Sequence, residues 1–428
     1  MNHFFMHAPK WRTGAGVLTL LAWLTSCGPN NKAVEYPLIE TANTNALDIA
    51  KVELTDSATI LHTDAYYRPH NWIRISSESY LQAGGKRYML TGAEGITPDS
   101  LFWMPESGEA SFTLCFEPLP SGTTSFDFIE SDCEDCFKLF GIDLTGKKTF
   151  DIPDDVPESL RLVDWDAEVP EPIFKTGTTT VNVHFLHYRP ELGKEANLYV
   201  NTLFGTQQPY TATVDPETGK ASFSFLQCGT VQAAVVLNNS MAGSAWLAPG
   251  ETTELYVDMH SIGYYLSLRR EEKKKITYPA PFQRLYSSGT YANLNNVDNQ
   301  LDNSPYYSMN SLTGEFADYH MTSAEYAAHV VDTYKALADS IARSNFSLLT
   351  LRQDAFSAMA QGDYLREHNY RHINRQWDYN FKVEGIAPLK PADAKAICQL
   401  FDINDTKLLM GENVSDYVRA ACSSSFDW

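Results

Sequence analysis

Between Ala46 and His260 the chain keeps returning to one pattern: short runs in which apolar and polar side chains alternate, each closed by a cluster of Gly, Pro, Asp or Asn. Alternation with period two puts the apolar set on one face of an extended strand, and the clusters supply turns. In SFTLCFEPL the shared face carries Phe112, Leu114 and Phe116; in TSFDFIE it carries Phe126 and Phe128. FKLFGIDL places Phe137, Leu139 and Gly141 together, and TTTVNVHFLHY does the same for Val181, Val183 and Phe185. Turns follow at Ala83-Gly84-Gly85, Pro105 to Gly108, Pro118 to Gly122, Asp215 to Gly219 and Pro249-Gly250-Glu251. Sheets with one buried face are what such a segment can build.

The pattern is interrupted once. Pro153, Pro157, Pro170 and Pro172 alternate with acidic residues, and proline lacks the amide hydrogen that a sheet interior requires. Residues 151–177 therefore read as a linker between two β-sandwich-like domains, 46–150 and 178–262. After a connecting segment, 263–317, the period becomes helical. Thr322 and Glu325 have the spacing of a capping box for a helix through about Arg343, with Tyr326, Val330, Leu337 and Ile341 near one face. A second helical region is expected from about Phe346 to Arg375, and Pro391 begins another at a favoured first-turn position before Gly411. Residues 318–428 read as a helical domain. The fold class expected is thus multidomain β plus α, two β-sandwich-like domains followed by a helical domain.

Residues 1–26 carry Lys10 and Arg12, no acidic residue, and a short apolar run from Val17 to Leu24. That is the layout of a signal peptide, and the run falls well short of the roughly 20 residues of a membrane-spanning helix. It ends in Leu24-Thr25-Ser26-Cys27, which resembles a lipobox, so Cys27 is expected to be the lipidated residue, with 27–45 as a tether. Multiple acyl chains hold a protein stably where one does not, so a membrane is the expected partner through the lipid anchor. Gly28 rather than Asp after Cys27 favours the outer membrane of the cell envelope. With 33 basic against 53 acidic residues, a net charge of -20, nucleic acid is excluded as a natural partner. In an oxidising compartment the remaining cysteines, at 115, 133, 136, 228, 398 and 422, can pair.

Three stretches carry a resemblance to a family: VELTDSATILHTDAYYRPHNWIRISSESYLQAGGKRYMLTGAEGI, LAPGETTELYVDM and WDYNFKVEGIAPLKPADAKAICQLFDIND. They resemble the non-catalytic N-terminal region of large TlpA-like, thioredoxin-family envelope thiol-disulfide oxidoreductase lipoproteins of Gram-negative gut anaerobes. The resemblance covers nearly all of the chain after the leader. It implies two β domains and a helical segment placed before a thioredoxin-like domain, which would bring a Trp-Cys-x-x-Cys and a later cis-proline. The residues up to Trp428 contain neither, so a stand-alone or a truncated relative is expected, and the family's catalytic residues have no positions here to be carried onto. The expected role is a non-catalytic accessory or binding scaffold without a cofactor. Envelope proteins or a separate thioredoxin-like subunit are its expected protein partners.

Among the residues that carry chemistry, Cys133-Glu134-Asp135-Cys136 has the spacing for a small disulfide able to exchange. Its flanks, Glu130, Asp132, Glu134 and Asp135, raise a thiol pKa by like charge, so a structural disulfide ranks above a redox site and metal binding behind both. His368 and His372 are one helical turn apart, but Asn369 stands where a metalloprotease motif has Glu, and packing is the preferred reading. His184 and His187 point to opposite faces of one strand, which excludes a ligand site shared on that strand alone, and no metal site is expected. Aromatic and hydrogen-bonding groups concentrate from Asp64 to Trp72, either as edge packing or as a surface for glycans or peptides. Ser57, Ser100 and Ser340 each follow Asp and precede an apolar residue, an acceptor pattern for O-glycosylation in such bacteria.

Overall fold

The computed structural model describes residues 32–133, 136–146, 153–202, 207–238, 240–268, 283–301, 321–341, 345–346, 348–360, 362 and 387–410. The leader, Cys27, the helical histidines His368 and His372, and Cys422 lie outside these residues. The chain is β-rich plus α, as expected, but helices at His260–Ser267 and Ala292–Leu301 precede the change of period expected near residue 318. Among the described residues no helix is long and apolar enough to cross a membrane.

The first sheet uses β1 (Lys32–Glu35), β2 (Thr41–Ala42), β3 (Leu47–Leu54), β4 (Thr59–Tyr66), β6 (Tyr80–Ala83), β7 (Lys86–Glu94), β9 (Glu109–Phe116), β10 (Ser125–Ile129) and β11 (Lys138–Asp143). Their order is β1-β3-β4-β9-β7-β6-β10-β11-β2. β7 is shared: its first residues pair with β6, its last with β9, and the register shifts between Leu90 and Gly92. Such an irregularity bends the ladder. Residues from both halves, including Leu61, Leu114, Leu81, Phe128 and Leu139, consequently close one hydrophobic core, in which Phe116 meets Phe128 edge-on. Phe112, Leu114, Phe116, Phe126 and Phe128 are all buried, as their alternation requires. Two short strands, β5 (Trp72–Ile73) and β8 (Phe102–Trp103), form a separate antiparallel pair beside this sheet.

Past 3-10 turns and extended chain, two four-stranded sheets follow. β12 (Thr176–Leu186), β15 (Lys220–Cys228), β18 (Thr252–Asp258) and β19 (Leu285–Ser287) lie in the order β15-β12-β18-β19. β13 (Glu195–Asn201), β14 (Gln207–Thr213), β16 (Val231–Leu237) and β17 (Ser240–Leu247) lie in the order β14-β13-β16-β17. The inward residues of both, among them Val181, Val183, Phe185, Leu198, Val235 and Leu255, fill one core. β12 and β18 pair in parallel, Leu186 opposite Asp258, so both strands end at the same level.

The described helices include α1 (His260–Ser267), α2 (Ala292–Leu301), α3 (Ser323–Ile341) and α4 (Pro391–Cys398), and residues 348–360 are helical as well. At α3 the capping box is reciprocal, since Thr322 N–H donates to Glu325 Oε2 at 2.8 Å and Glu325 N–H to Thr322 Oγ1 at 3.3 Å. Pro391 occupies the first turn of α4. The Asn-rich segment forms α2, and its asparagines act as surrogate backbone. Asn295 accepts from Trp246 N–H at 2.6 Å and donates to Trp246 O at 3.1 Å, satisfying the free edge of β17; Asn299 donates to Ser244 O at 2.9 Å. Asn296 ties Ser287 N–H to the carbonyl of Leu160.

The sheet systems meet along a seam. Thr41 donates to Met259 O at 2.8 Å and Ile39 N–H to Ser267 Oγ at 2.7 Å, so α1 lies directly on the segment leading into β2. The approach is close enough that a side chain on Gly263 would collide with the backbone carbonyls of Ile39 and Glu40. Tyr80, Ile129 and Phe140 extend the second core into the first sheet.

Candidate functional site

Three places bring chemistry-bearing side chains together. The first is the β5–β8 pair. Trp72 stands opposite Trp103 in the register, and cross-strand partners share a face. They are 49% and 60% exposed, while the neighbouring Ile73 is buried and anchors the pair. Exposed Tyr67 and Leu101 lie close in sequence. The loop is held by backbone bonds from Tyr67 N–H to Gly108 O, His70 N–H to Met104 O and Met104 N–H to Asn71 O. His70 takes φ +58° to make this turn. The aromatic concentration read from the sequence thus divides: Tyr66 ends a strand of the sheet, and Trp72 faces solvent beside a tryptophan thirty-one positions later. Lys32 pairs with Leu54, and Leu54 with Thr59, at the far end of β4 from this platform. Eight residues of strand separate the two ends by about 25 Å.

The second place is the β10–β11 hairpin. Its loop joins Cys133 to Cys136 as a disulfide, closed beneath by Glu130 N–H to Phe137 O and by Phe137 N–H to Glu130 Oε2, both 2.9 Å. The acidic flanks expected to oppose a thiolate are in part neutralised. Asp132 receives both guanidinium nitrogens of Arg87, at 2.8 and 3.0 Å, and the Tyr80 hydroxyl at 2.7 Å. The Arg87 bonds hold the Asp132 carboxyl below its usual range. Arg87 also covers the Tyr80 ring at 4.2 Å, and burial with Asp132 pushes the Tyr80 phenol up to about 12. Arg87, forty-five positions upstream of Asp132, has no signal in the Cys-x-x-Cys motif. Glu134 and Asp135 lie outside the described residues.

The third lies on the seam. His184 and His187 take different partners, but not by the alternation expected of one strand, because β12 ends at Leu186 and His187 lies beyond it. His184 stays on β12, 2.6 Å from Glu254 Oε2 and stacked on Tyr256. His187, just past the strand in a left-handed conformation with φ +55°, turns to Asp258, with Nδ1 3.0 Å from Oδ1. Asp258 ends β18 and also accepts from His260 N–H at 3.0 Å. The His187 and His260 rings stack at 3.6 Å, 4° from parallel. Glu40, lodged over Gly141 where no side chain would fit, reaches to 3.5 Å from His260 Nε2. The bond to Asp258, together with the charges of Asp258, Glu40 and Asp155, raises the His187 pKa against the opposing effect of burial. Nothing local to His187 in the sequence marks this cluster, because His187 meets its partners only after leaving its own strand. The available clue was Asp258-x-His260 across a strand-to-helix boundary.

The remaining expected residues are dispersed. Ser57 is exposed in the β3–β4 turn, and Ser100 is exposed beside Asp99, whose φ is +61°. Ser340 lies in α3, its side chain outside the described residues. Cys115, Cys228 and Cys398 are free thiols, and burial raises those of Cys115 and Cys398.

No protein-family model and no curated protein matches the chain. Among solved structures a match is the pullulanase type I from Bacillus subtilis str. 168 complexed with maltose, at 8% sequence identity and a TM-score of 0.16. It extends over 48% of this chain and 24% of that one, a likeness from which neither fold nor function follows.

Proposed function

We propose that the chain is an exported, lipid-anchored, non-catalytic binding scaffold that presents the Trp72–Trp103 platform to a neutral glycan. The observation that carries this reading is the pair itself: two indoles, directly opposite across a short ladder and half or more exposed, at the far end of the sheet from Lys32. Large exposed aromatic faces are the exception on a soluble surface and mark contact sites. Paired flat apolar faces with polar edges suit the C–H faces of sugar rings, and the chain's net charge of -20 disfavours acidic ligands. Anchoring rests on the leader and Cys27. An anchor there would leave only residues 28–31 between the lipid and the first strand, with the platform roughly a strand's length further out.

The two-domain β-sandwich layout with a helical domain, and the kinship with TlpA-like accessory regions, belong to the same proposal and support a scaffold over an enzyme. A glycan array, with hits quantified by calorimetry, is the test. At least a tenfold loss of affinity is expected for Trp103→Ala and Trp72→Ala. Binding that survives both substitutions, or no neutral glycan bound at all, overturns the platform. Loss of membrane fractionation in Cys27→Ser tests the anchor separately.

A second reading, thiol-disulfide exchange through Cys133 and Cys136, is favoured by the disulfide and by the Arg87 pair that offsets Asp132. A reduction potential below about -300 mV would mark the bridge as structural.

A further inference from the structure

Among the described residues, the seam gathers a group of side chains able to hold a metal ion. Two imidazoles and a carboxylate arrive from three elements: His187 from the end of β12, Asp258 from the end of β18, His260 from the start of α1. One ligand atom of each lies within 4.8 Å of the others. The parallel register that brings Leu186 level with Asp258 is what sets His187 beside it.

We propose that His187, Asp258 and His260 form a binding site for a divalent transition-metal ion of the zinc class, with Glu40 as the outer carboxylate that orients His260. This rests on the seam alone and is independent of the glycan-binding reading.

Four observations carry it. The donor set is two nitrogens and one carboxylate oxygen, which suits zinc and excludes the all-oxygen shells of calcium and magnesium. Asp258 is only 2% exposed in its side chain and is held by the His260 amide, so its position does not depend on a bound ion. His187 occupies a left-handed conformation that costs a β-carbon-bearing residue energy, and its effect is to swing the imidazole back over Asp258. Finally, the two imidazoles stack at 3.6 Å directly beside that buried carboxylate, so all three donors are gathered in one place.

Parallel rings send their in-plane lone pairs side by side, not to one point, so binding requires one ring to swing. His187, with 38% of its side chain exposed, is the ring free to do so, and it leaves an outward position open to water. Glu40, near His260 Nε2, has the place of the carboxylate that commonly fixes the tautomer of a ligating histidine.

The test is calorimetric titration of the purified, chelator-stripped full-length chain with Zn2+, with Co2+ absorption as a second readout. One saturable site is expected, with Co2+ giving a visible spectrum of nitrogen ligation and Zn2+ raising the unfolding temperature. His187→Asn, chosen because Asn tolerates the left-handed conformation, and His260→Gln should each weaken Zn2+ at least tenfold with unchanged circular dichroism. Glu40→Gln should cost about 10-fold to 100-fold. His184→Asn, on the same strand but bonded to Glu254, should cost nothing. No saturable Zn2+ binding, binding indifferent to both histidine substitutions, or Mg2+ and Ca2+ bound as tightly as Zn2+ would each overturn the assignment and leave a hydrogen-bonded histidine cluster.

Discussion

Glu130 carries a cost inside the first sheet. Burial raises its pKa, and the Phe137 and Ser76 amides and the Arg74 charge offset this only in part. A carboxyl whose folded pKa is raised holds its proton more tightly when folded. Stability therefore declines as pH rises from the ordinary value of 4.5 through the raised one, and the full deficit persists above it. Glu130→Gln keeps an acceptor for Phe137 N–H and removes the charge. Thermal scans should show the variant more stable at pH 7, by on the order of 1 kcal/mol, and indistinguishable from the parent well below pH 4.5. None of this was legible in the sequence, where Glu130 looked like one more acidic neighbour of Cys133. Its burial depends on the ladder from β6 to β11. His187 was opaque for the same reason, since its partners are seventy-one or more positions away.

At the scale of elements, alternation carried far. Every apolar triplet assigned to β9 and β12 is buried, and the capping box and first-turn proline mark their helices. What periodicity cannot express is an element whose buried face is polar. α2 buries Asn295, Asn296 and Asn299 because their amides replace the backbone partners that β17 and β19 lack on that side. Asn295→Ala would strand both the N–H and the carbonyl of Trp246, and a loss of about 3 kcal/mol is expected in chemical denaturation. Asn293→Ala, whose bonds to Asp164 are exposed, should cost well under half of that.

At the scale of the molecule, the connection between sheet systems depends on a contact with no tolerance for volume. Gly263 faces two backbone carbonyls, so neither neighbour can rotate away as a side chain could. Gly263→Ala should lower the first unfolding transition by about 3 kcal/mol and open the 39–46 segment to limited proteolysis. Nothing in the sequence marks the seam, since each strand-rich segment carries its own alternation and turns. The joining residues, Thr41 with Met259 and Ile39 with Ser267, are more than two hundred positions apart and belong to no motif.

The parallel pairing of β12 with β18 also sets an order of events. β12 takes β15 on one side as soon as residue 228 has emerged, but its other side stays unpaired until residue 258 arrives. Over that interval the strand that becomes the middle of a sheet is an edge, with Val181, Val183 and Phe185 and a row of open amides beside it. A nascent chain is most exposed to misassociation there, and chaperoning would matter most in that window.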